Sequence, residues 1–240
     1  MKTLGIIGGL GPMATALLLE QIIQMTDVKT DQEHLDIIVF NRPNTPDRTE
    51  YLLDRSKPSP AVSITETAQT LEKLGASYLA IPCVTAHALL DELKPHINLP
   101  IINMVEATAA SLYNANMRKT GVMATTGTVK IGLFQSALNN LGIEPVIPEN
   151  DIQTMIMELI YDDVKAGIPA DMDKFRYVSD WLFSKGCDSI ILGCTELSVI
   201  KKQESPGNGF IDALEVLAAQ SILLCGKPLK PAYSTLIQRR

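Results

Sequence analysis

Two segments of this chain, SYLAIPCVT from Ser77 and DSIILGCTE from Asp188, share a pattern that constrains its fold more than any other feature. Each is a short apolar run ending in a cysteine with a threonine one or two residues on. A second pair precedes them: LGIIGGLGPMAT from Leu4 and TGVMATTGT from Thr120, each an apolar run entering a loop of small residues. The spacing between Gly5 and Gly121 is close to that between Cys83 and Cys194, so the chain reads as two related halves in series.

Between these markers, short apolar runs alternate with longer stretches of helical period, as expected when crossover helices join parallel strands. Strands are expected at Leu4 to Ile7, Asp36 to Phe40, Tyr78 to Ile81, Ile101 to Ile102, Thr120 to Ala124, Glu144 to Ile147, Ser189 to Leu192 and Gly209 to Ile211. Helices are expected at Thr15 to Met25, Pro60 to Leu74, Ala107 to Asn116, Ile131 to Leu141, Asp151 to Ala166 and Asp171 to Lys185. The predicted fold is α/β: two pseudo-symmetric, open-sheet Rossmann-like domains with mostly parallel strands and an active site in the cleft between them. Residues 1–104 plus 210–240 are assigned to the first domain and residues 105–209 to the second. In such sheets ligands collect outside the carboxyl ends of the strands, where all four marked loops fall.

With 240 residues and 46% hydrophobic content, the chain can bury a substantial core. Its net charge of −6 and lack of a Lys/Arg run argue against nucleic acid or an anionic membrane as partner and favour a small molecule. Lys2 and the apolar stretch after it imitate a secretory signal, but Gly8, Gly9, Gly11 and Pro12 break that stretch where a signal needs a continuous helix. No run of 18 apolar residues suggests a membrane span. Cys83, Cys187, Cys194 and Cys225 form no CxxC pair and are too few for a disulfide framework, so reduced thiols in a cytoplasmic protein are expected.

A strand that delivers a cysteine into the turn before a helix places sulfur near backbone N–H groups, and a thiol so placed can ionise near neutrality. Inverting an amino acid requires one group to take the α-proton and a second to return a proton to the other face. Two pseudo-symmetric cysteines meet that need, Cys83 and Cys194 exchanging the roles of thiolate and thiol with the configuration of the substrate. Single strand-end cysteines are commonly packing residues. The matched context singles out this pair, whereas Cys187 and Cys225 lack it and are read as structural.

IPCVTAH (Ile81 to His87) and LGCTEL (Leu192 to Leu197) resemble the two cysteine motifs of the aspartate/glutamate racemase family. GGLGPMAT at Gly8, PDRT at Pro46, GVMATTGT at Gly121 and VKAG at Val164 have counterparts there in the same order. The resemblance implies a two-domain, pseudo-symmetric amino-acid racemase, usually a homodimer, that uses neither pyridoxal phosphate nor metal. It further implies that Arg48 and Lys165 grip the side-chain carboxylate of the substrate. Thr85, Thr195 and the Leu10 to Gly11 backbone would line the amino-acid head, with Val84 and Thr126 completing the binding set. An acidic substrate needs fixed cations, and a guanidinium can bind a carboxylate bidentately. His87 could serve equally as a base or as a structural hydrogen bonder. Val84 departs from the family pattern, which has Asn at that place; Val cannot hydrogen-bond the substrate or orient the sulfur, a change expected to slow turnover or shift substrate choice.

Three alternatives remain at this level. Gly9, Gly11 and Ala14 spell the dinucleotide fingerprint G-x-G-x-x-A after a strand, and Arg42 could suit a 2′-phosphate, though no acidic residue ends the second strand. Similar enzymes use one or both cysteines for decarboxylation or cis-trans isomerisation of diacids, a reading that Val84 keeps open. A binding or regulatory protein without activity could share the same fold.

Overall fold

The structure is a computed structural model describing residues 2–240. The first half runs β1 (Leu4–Gly8), α1 (Pro12–Met25), β2 (Ile37–Asn41), α2 (Arg48–Leu53), α3 (Ala61–Lys73) and β3 (Tyr78–Ala80). A 3-10 turn at Val84–Leu89, α4 (Leu90–Leu93) and α5 (Met104–Asn114) follow. The second half runs β4 (Lys119–Met123), α6 (Thr126–Ile131), α7 (Leu133–Asn139), β5 (Glu144–Val146) and α8 (Asn150–Glu158), which continues into a π-helical turn at Leu159–Val164. The chain closes with α9 (Met172–Ser184), β6 (Ser189–Leu192), α10 (Thr195–Glu204), β7 (Phe210–Asp212) and α11 (Ala213–Leu224).

The chain divides into two compact units, Met1–Met104 with Leu214–Thr235 and Val105–Ala213 with Leu236–Arg240. Each is built on a parallel sheet, in the order β2-β1-β3 in the first and β5-β4-β6-β7 in the second. In both, the earliest strand is central and flanked by the next two. The equivalence extends further: a parallel bridge from Ile101 to Leu79 on β3 occupies the place that β7 takes beside β6. The stretch at Ile101 to Ile102, expected as a strand, is therefore a bridge. The segment from Phe210 first adds β7 to the second sheet and enters the first unit only at Leu214.

The strands form where the apolar runs lie. β1 is buried along its whole length, as a central parallel strand covered on both faces must be. Edge strands differ: β2 leaves Val39 and Phe40 partly exposed, and β5 tolerates Pro145, whose missing N–H costs little at an edge. In the first unit Ile64, Ala68 and Leu71 of α3 pack with Ile7, Leu79 and Ile81. In the second, Ile156, Leu159, Phe175, Val178 and Leu182 pack against Met123, Ile190 and Leu192.

Several helices depart from the sequence reading for local reasons. α1 starts at Pro12, earlier than expected, because proline at the first helical position sacrifices only an N–H that has no helical partner. The helix expected over Ile131 to Leu141 is α7 at Leu133–Asn139; Gly132, with a left-handed φ of 77°, separates it from α6, which was not expected. The helix expected from Asp151 to Ala166 is regular only to Glu158 and then widens into the π turn. α2, not expected, begins at Arg48 because Asp47 caps it, its side chain accepting from Glu50 N at 2.8 Å.

Candidate active site

In the first unit, β1 and β3 run side by side and their loops leave from the same end. The β1 loop is held shut by Thr15: Gly9 N donates to its Oγ1 at 3.0 Å, and that hydroxyl donates to Gly11 O at 3.2 Å. Gly9 has φ 90°, and a Cβ there would lie 2.3 Å from the Arg42 carbonyl carbon, so no other residue fits. The Gly9 amide, a phosphate donor in the dinucleotide reading, is thus engaged inside the loop.

Arg48 reaches the same loop. Its Nη2 donates to Leu10 O at 2.9 Å, and its Nη1 donates to Pro46 O at 3.0 Å and Thr45 O at 3.3 Å. The guanidinium expected to meet a carboxylate therefore also pins the Leu10 to Gly11 backbone against the loop before α2.

Cys83 follows β3, is buried, and starts the 3-10 turn in an extended conformation, its own N–H closing a tight turn onto Ile81 O at 2.7 Å. Val84 and Thr85 come next and are also buried. His87 lies 2.9 Å through Nδ1 from Cys83 O and 3.3 Å through Nε2 from Ile102 O. These contacts lie between the cysteine turn and the segment beside β3.

The second unit repeats the plan with different chemistry. Gly193 N donates to Met123 O at 2.7 Å, setting the loops after β4 and β6 side by side. Thr126 opens α6; its N–H points at Met157 Sδ at 3.3 Å, and its Oγ1 lies 3.5 Å from Gln153 Nε2. Gln153 also donates to Ala124 O at 2.9 Å, so α8 fixes this loop as Arg48 fixes its counterpart.

Cys194, half-buried, starts α10. Its thiol donates to Glu196 Oε2 at 2.9 Å, and the Thr195 hydroxyl reaches the same oxygen at 3.3 Å. The other oxygen, Glu196 Oε1, is 4.0 Å from Lys165 Nζ, and that ammonium also sits over the Tyr161 ring at 4.0 Å. Lys165 is delivered by the π turn: its N–H bonds to Ile160 O at 3.0 Å, five residues back, rather than in α-helical register.

These contacts set the charge states. Burial pushes the Cys194 thiol well above its ordinary range, and the neighbouring Glu196 carboxylate adds to the effect, so the expectation of a thiol ionising near neutrality fails here. For Lys165, burial opposes the charge, yet Glu196 and Tyr161 outweigh it and raise the affinity of the amine for its proton. Cys187, away from any such cluster, is pushed up to about 11 by burial, with Lys119 pulling weakly the other way.

Within each unit the structure thus joins Leu10 to Arg48, and Cys194 and Thr195 to Lys165 through Glu196. Sequence reasoning gave no role to Glu196 or Gln153. An acid in the first turn after the second cysteine was the available signal for Glu196; nothing local marked Gln153. A separate cavity of about 390 Å³ in the second unit is lined by Arg176, Asp180, Phe183, Glu204, Asn208 and Arg240. It opens at the far end of α10 from Cys194, roughly 15 Å away at 1.5 Å per helical residue. Among the described residues, no cluster of metal-binding side chains occurs and no helix is long and apolar enough to cross a membrane.

Two parallel α/β units, each ending its third strand in a cysteine turn, define the class of fold. A model of the Asp/Glu/hydantoin racemase family matches residues 7–221. An aspartate racemase from Picrophilus torridus is similar in structure, with a TM-score of 0.84 and 31% identity over 99% of this chain and 100% of that one. The broad specificity amino-acid racemase RacX of Bacillus subtilis is 26% identical over 228 residues, 91% of this chain and 96% of RacX. A glutamate racemase from Campylobacter jejuni shares the fold, with a TM-score of 0.61 and 17% identity, covering 96% of this chain and 88% of its own. The chain belongs to the Asp/Glu/hydantoin racemase family and is an amino-acid racemase.

Proposed function

We propose that the protein racemises an acidic amino acid, aspartate or glutamate, by two-base proton transfer without a cofactor, one of Cys83 and Cys194 taking the α-proton and the other returning its own. The observation that carries this reading is positional: the two cysteines occupy equivalent places, each opening the helical turn after the third strand of its sheet. In one direction the Cys83 thiolate takes the α-proton, so that a C–H bond breaks, an S–H bond forms and the electron pair remains on the substrate. The Cys194 thiol then gives its proton to the opposite face of that carbon and becomes the thiolate. The mirror substrate runs the same steps with the sulfurs exchanged.

Arg48 and Lys165 hold the distal carboxylate, and Leu10, Gly11, Val84, Thr85, Thr126 and Thr195 line the amino-acid head. The Lys165 charge and the Arg48 guanidinium support that assignment, since both suit a carboxylate ligand. We further take the protein to act in the cytoplasm as a homodimer with reduced thiols.

Exchange of the α-proton in D₂O, followed by NMR across a panel of amino acids, tests the reading. Cys83→Ala and Cys194→Ala should each stop racemisation, while a single mutant can still exchange the α-proton of one enantiomer. Racemisation at the wild-type rate in either mutant would refute the two-cysteine chemistry. Turnover of maleate without racemisation of aspartate would place the enzyme with the diacid isomerases.

A further inference from the structure

The two cysteine stations are equivalent in topology and different in charge. Among the described residues, the second alone has a carboxylate shown on its sulfur: Glu196 Oε2 accepts from Cys194 Sγ at 2.9 Å and from the Thr195 hydroxyl at 3.3 Å. Glu196 is itself largely buried, and its second oxygen faces the Lys165 ammonium at 4.0 Å. At Cys83 the contact shown is of another kind, His87 Nδ1 lying 2.9 Å from the Cys83 carbonyl oxygen.

A carboxylate that accepts a thiol proton stabilises the protonated sulfur and repels the thiolate. The remaining groups packed on this corner do not cancel that effect. The π turn contributes Tyr161 and delivers Lys165, whose ammonium lies over the Tyr161 ring. β7 contributes Asp212, whose Oδ1 accepts from the Ser198 hydroxyl at 2.6 Å on the next turn of α10. β6, with the sequence SIIL, contributes no ionisable group.

We propose that Glu196, steadied by Lys165, is a positioning residue that keeps the proton on Cys194 in the substrate-free protein, so that Cys194 enters the reaction as the proton donor and Cys83 as the acceptor. This rests on the two-cysteine reading above. No bond is broken in the resting state: the proton stays on sulfur, and its transfer to the substrate carbon leaves a thiolate beside Glu196. That thiolate is then a base of raised strength, fit to take the proton of the opposite enantiomer. Lys165 limits the effect by neutralising part of the Glu196 charge.

The test measures each cysteine separately. Alkylation by iodoacetamide as a function of pH, read by peptide mass spectrometry, gives a midpoint for Cys194 and another for Cys83 in the same sample. Glu196→Gln keeps the shape of the side chain and removes its charge. Its Cys194 midpoint should fall by roughly one to three pH units, the usual effect of a like charge at this range, while that of Cys83 stays in place. Lys165→Met should move the Cys194 midpoint the other way. In the same Glu196→Gln protein, the alkaline limb of kcat/KM should shift down in step with the Cys194 midpoint. A Cys194 midpoint that stays or rises on Glu196→Gln overturns the proposal, as does an alkaline limb that ignores a lowered midpoint. If Glu196→Gln fails to fold, Glu196→Ser decides in its place: a lowered Cys194 midpoint supports the proposal, and a midpoint that stays or rises refutes it. Failure of the two-cysteine reading would be seen elsewhere, as racemisation by Cys194→Ala, and would leave the alkylation midpoints as they are.

Discussion

The turn after β3 and the turn after β6 are one design executed twice with different polar partners. In both, the fourth residue past the cysteine reaches toward the next segment of its unit: His87 toward Ile102 O, and Ser198 toward Asp212. At the sulfur itself the likeness stops. Cys83 has Val84 and Thr85 beside it, whereas Cys194 has Thr195 and then Glu196, whose carboxylate takes its proton's hydrogen bond. The two turns share a backbone frame, while the groups around their sulfurs differ. A racemase gains from this, since its two acid-base groups must hold opposite protonation states at the start of each turnover.

The largest effect expected from breaking this likeness is on catalysis. Cys83→Ala and Cys194→Ala should each reduce racemisation by about 10³-fold or more, the range for losing a general acid or base. A mutant within tenfold of wild type at either place would end the equivalence. Next come the cations. Arg48→Ala and Lys165→Met should each raise KM for aspartate and glutamate by roughly 10- to 100-fold, from the loss of a hydrogen bond to a charged ligand, with a smaller effect on alanine. Equal losses for alanine would mean that these residues only hold the fold. Arg48→Ala should also lower the melting temperature more than Lys165→Met does, because only Arg48 anchors three backbone carbonyls.

Glycines offer a third comparison, read by denaturant unfolding. Gly9→Ala forces a Cβ onto the Arg42 backbone at a φ of 90° and should cost at least about 2 kcal/mol. Gly193→Ala needs no left-handed backbone, and its one contact under 3.0 Å is with the buried Phe134 ring at 2.6 Å rather than with backbone, so it should cost less. The smallest effect concerns the cysteines outside the stations, Cys187 in the second unit and Cys225 in the first, both raised by burial. A thiol with a raised value in the folded state stabilises the protein fully below the unfolded value and loses that contribution as pH climbs. For Cys187 the window runs from 9.0 to about 11. Stability measured across it should fall, and Cys187→Ala should flatten the slope; an unchanged slope would assign the decline to other groups.

Much of this was legible in the sequence because it rests on repetition. The cysteine-bearing runs and the small-residue loops marked β1, β3, β4 and β6, since a buried parallel strand has to be a short apolar run wherever it occurs. What escaped depends on partners distant in sequence or on single backbone angles. Gly132 ends α6, a helix that periodicity does not mark, and the π turn shifts Lys165 by one residue around its helix without altering the apolar pattern. Arg48 was expected to face a ligand, and its bond to Leu10 O, thirty-eight residues away, has no local trace. Glu196 sat in plain view within LGCTEL, yet only the side-chain geometry turns an acid near a cysteine into a partner of its sulfur.

α11 has one consequence for biogenesis. The helix is apolar on almost every side, with Leu214, Val216, Leu217, Ala218 and Ile222 all buried, and from Leu214 onward it belongs to the unit that the amino terminus begins. A nascent chain emerging from the ribosome can therefore complete the first unit only after Leu214–Thr235 have been made. Severing the polypeptide near residue 104 would yield two pieces, the first without its last helix and the second displaying that helix as an orphaned greasy rod, ready to aggregate unless its counterpart is nearby.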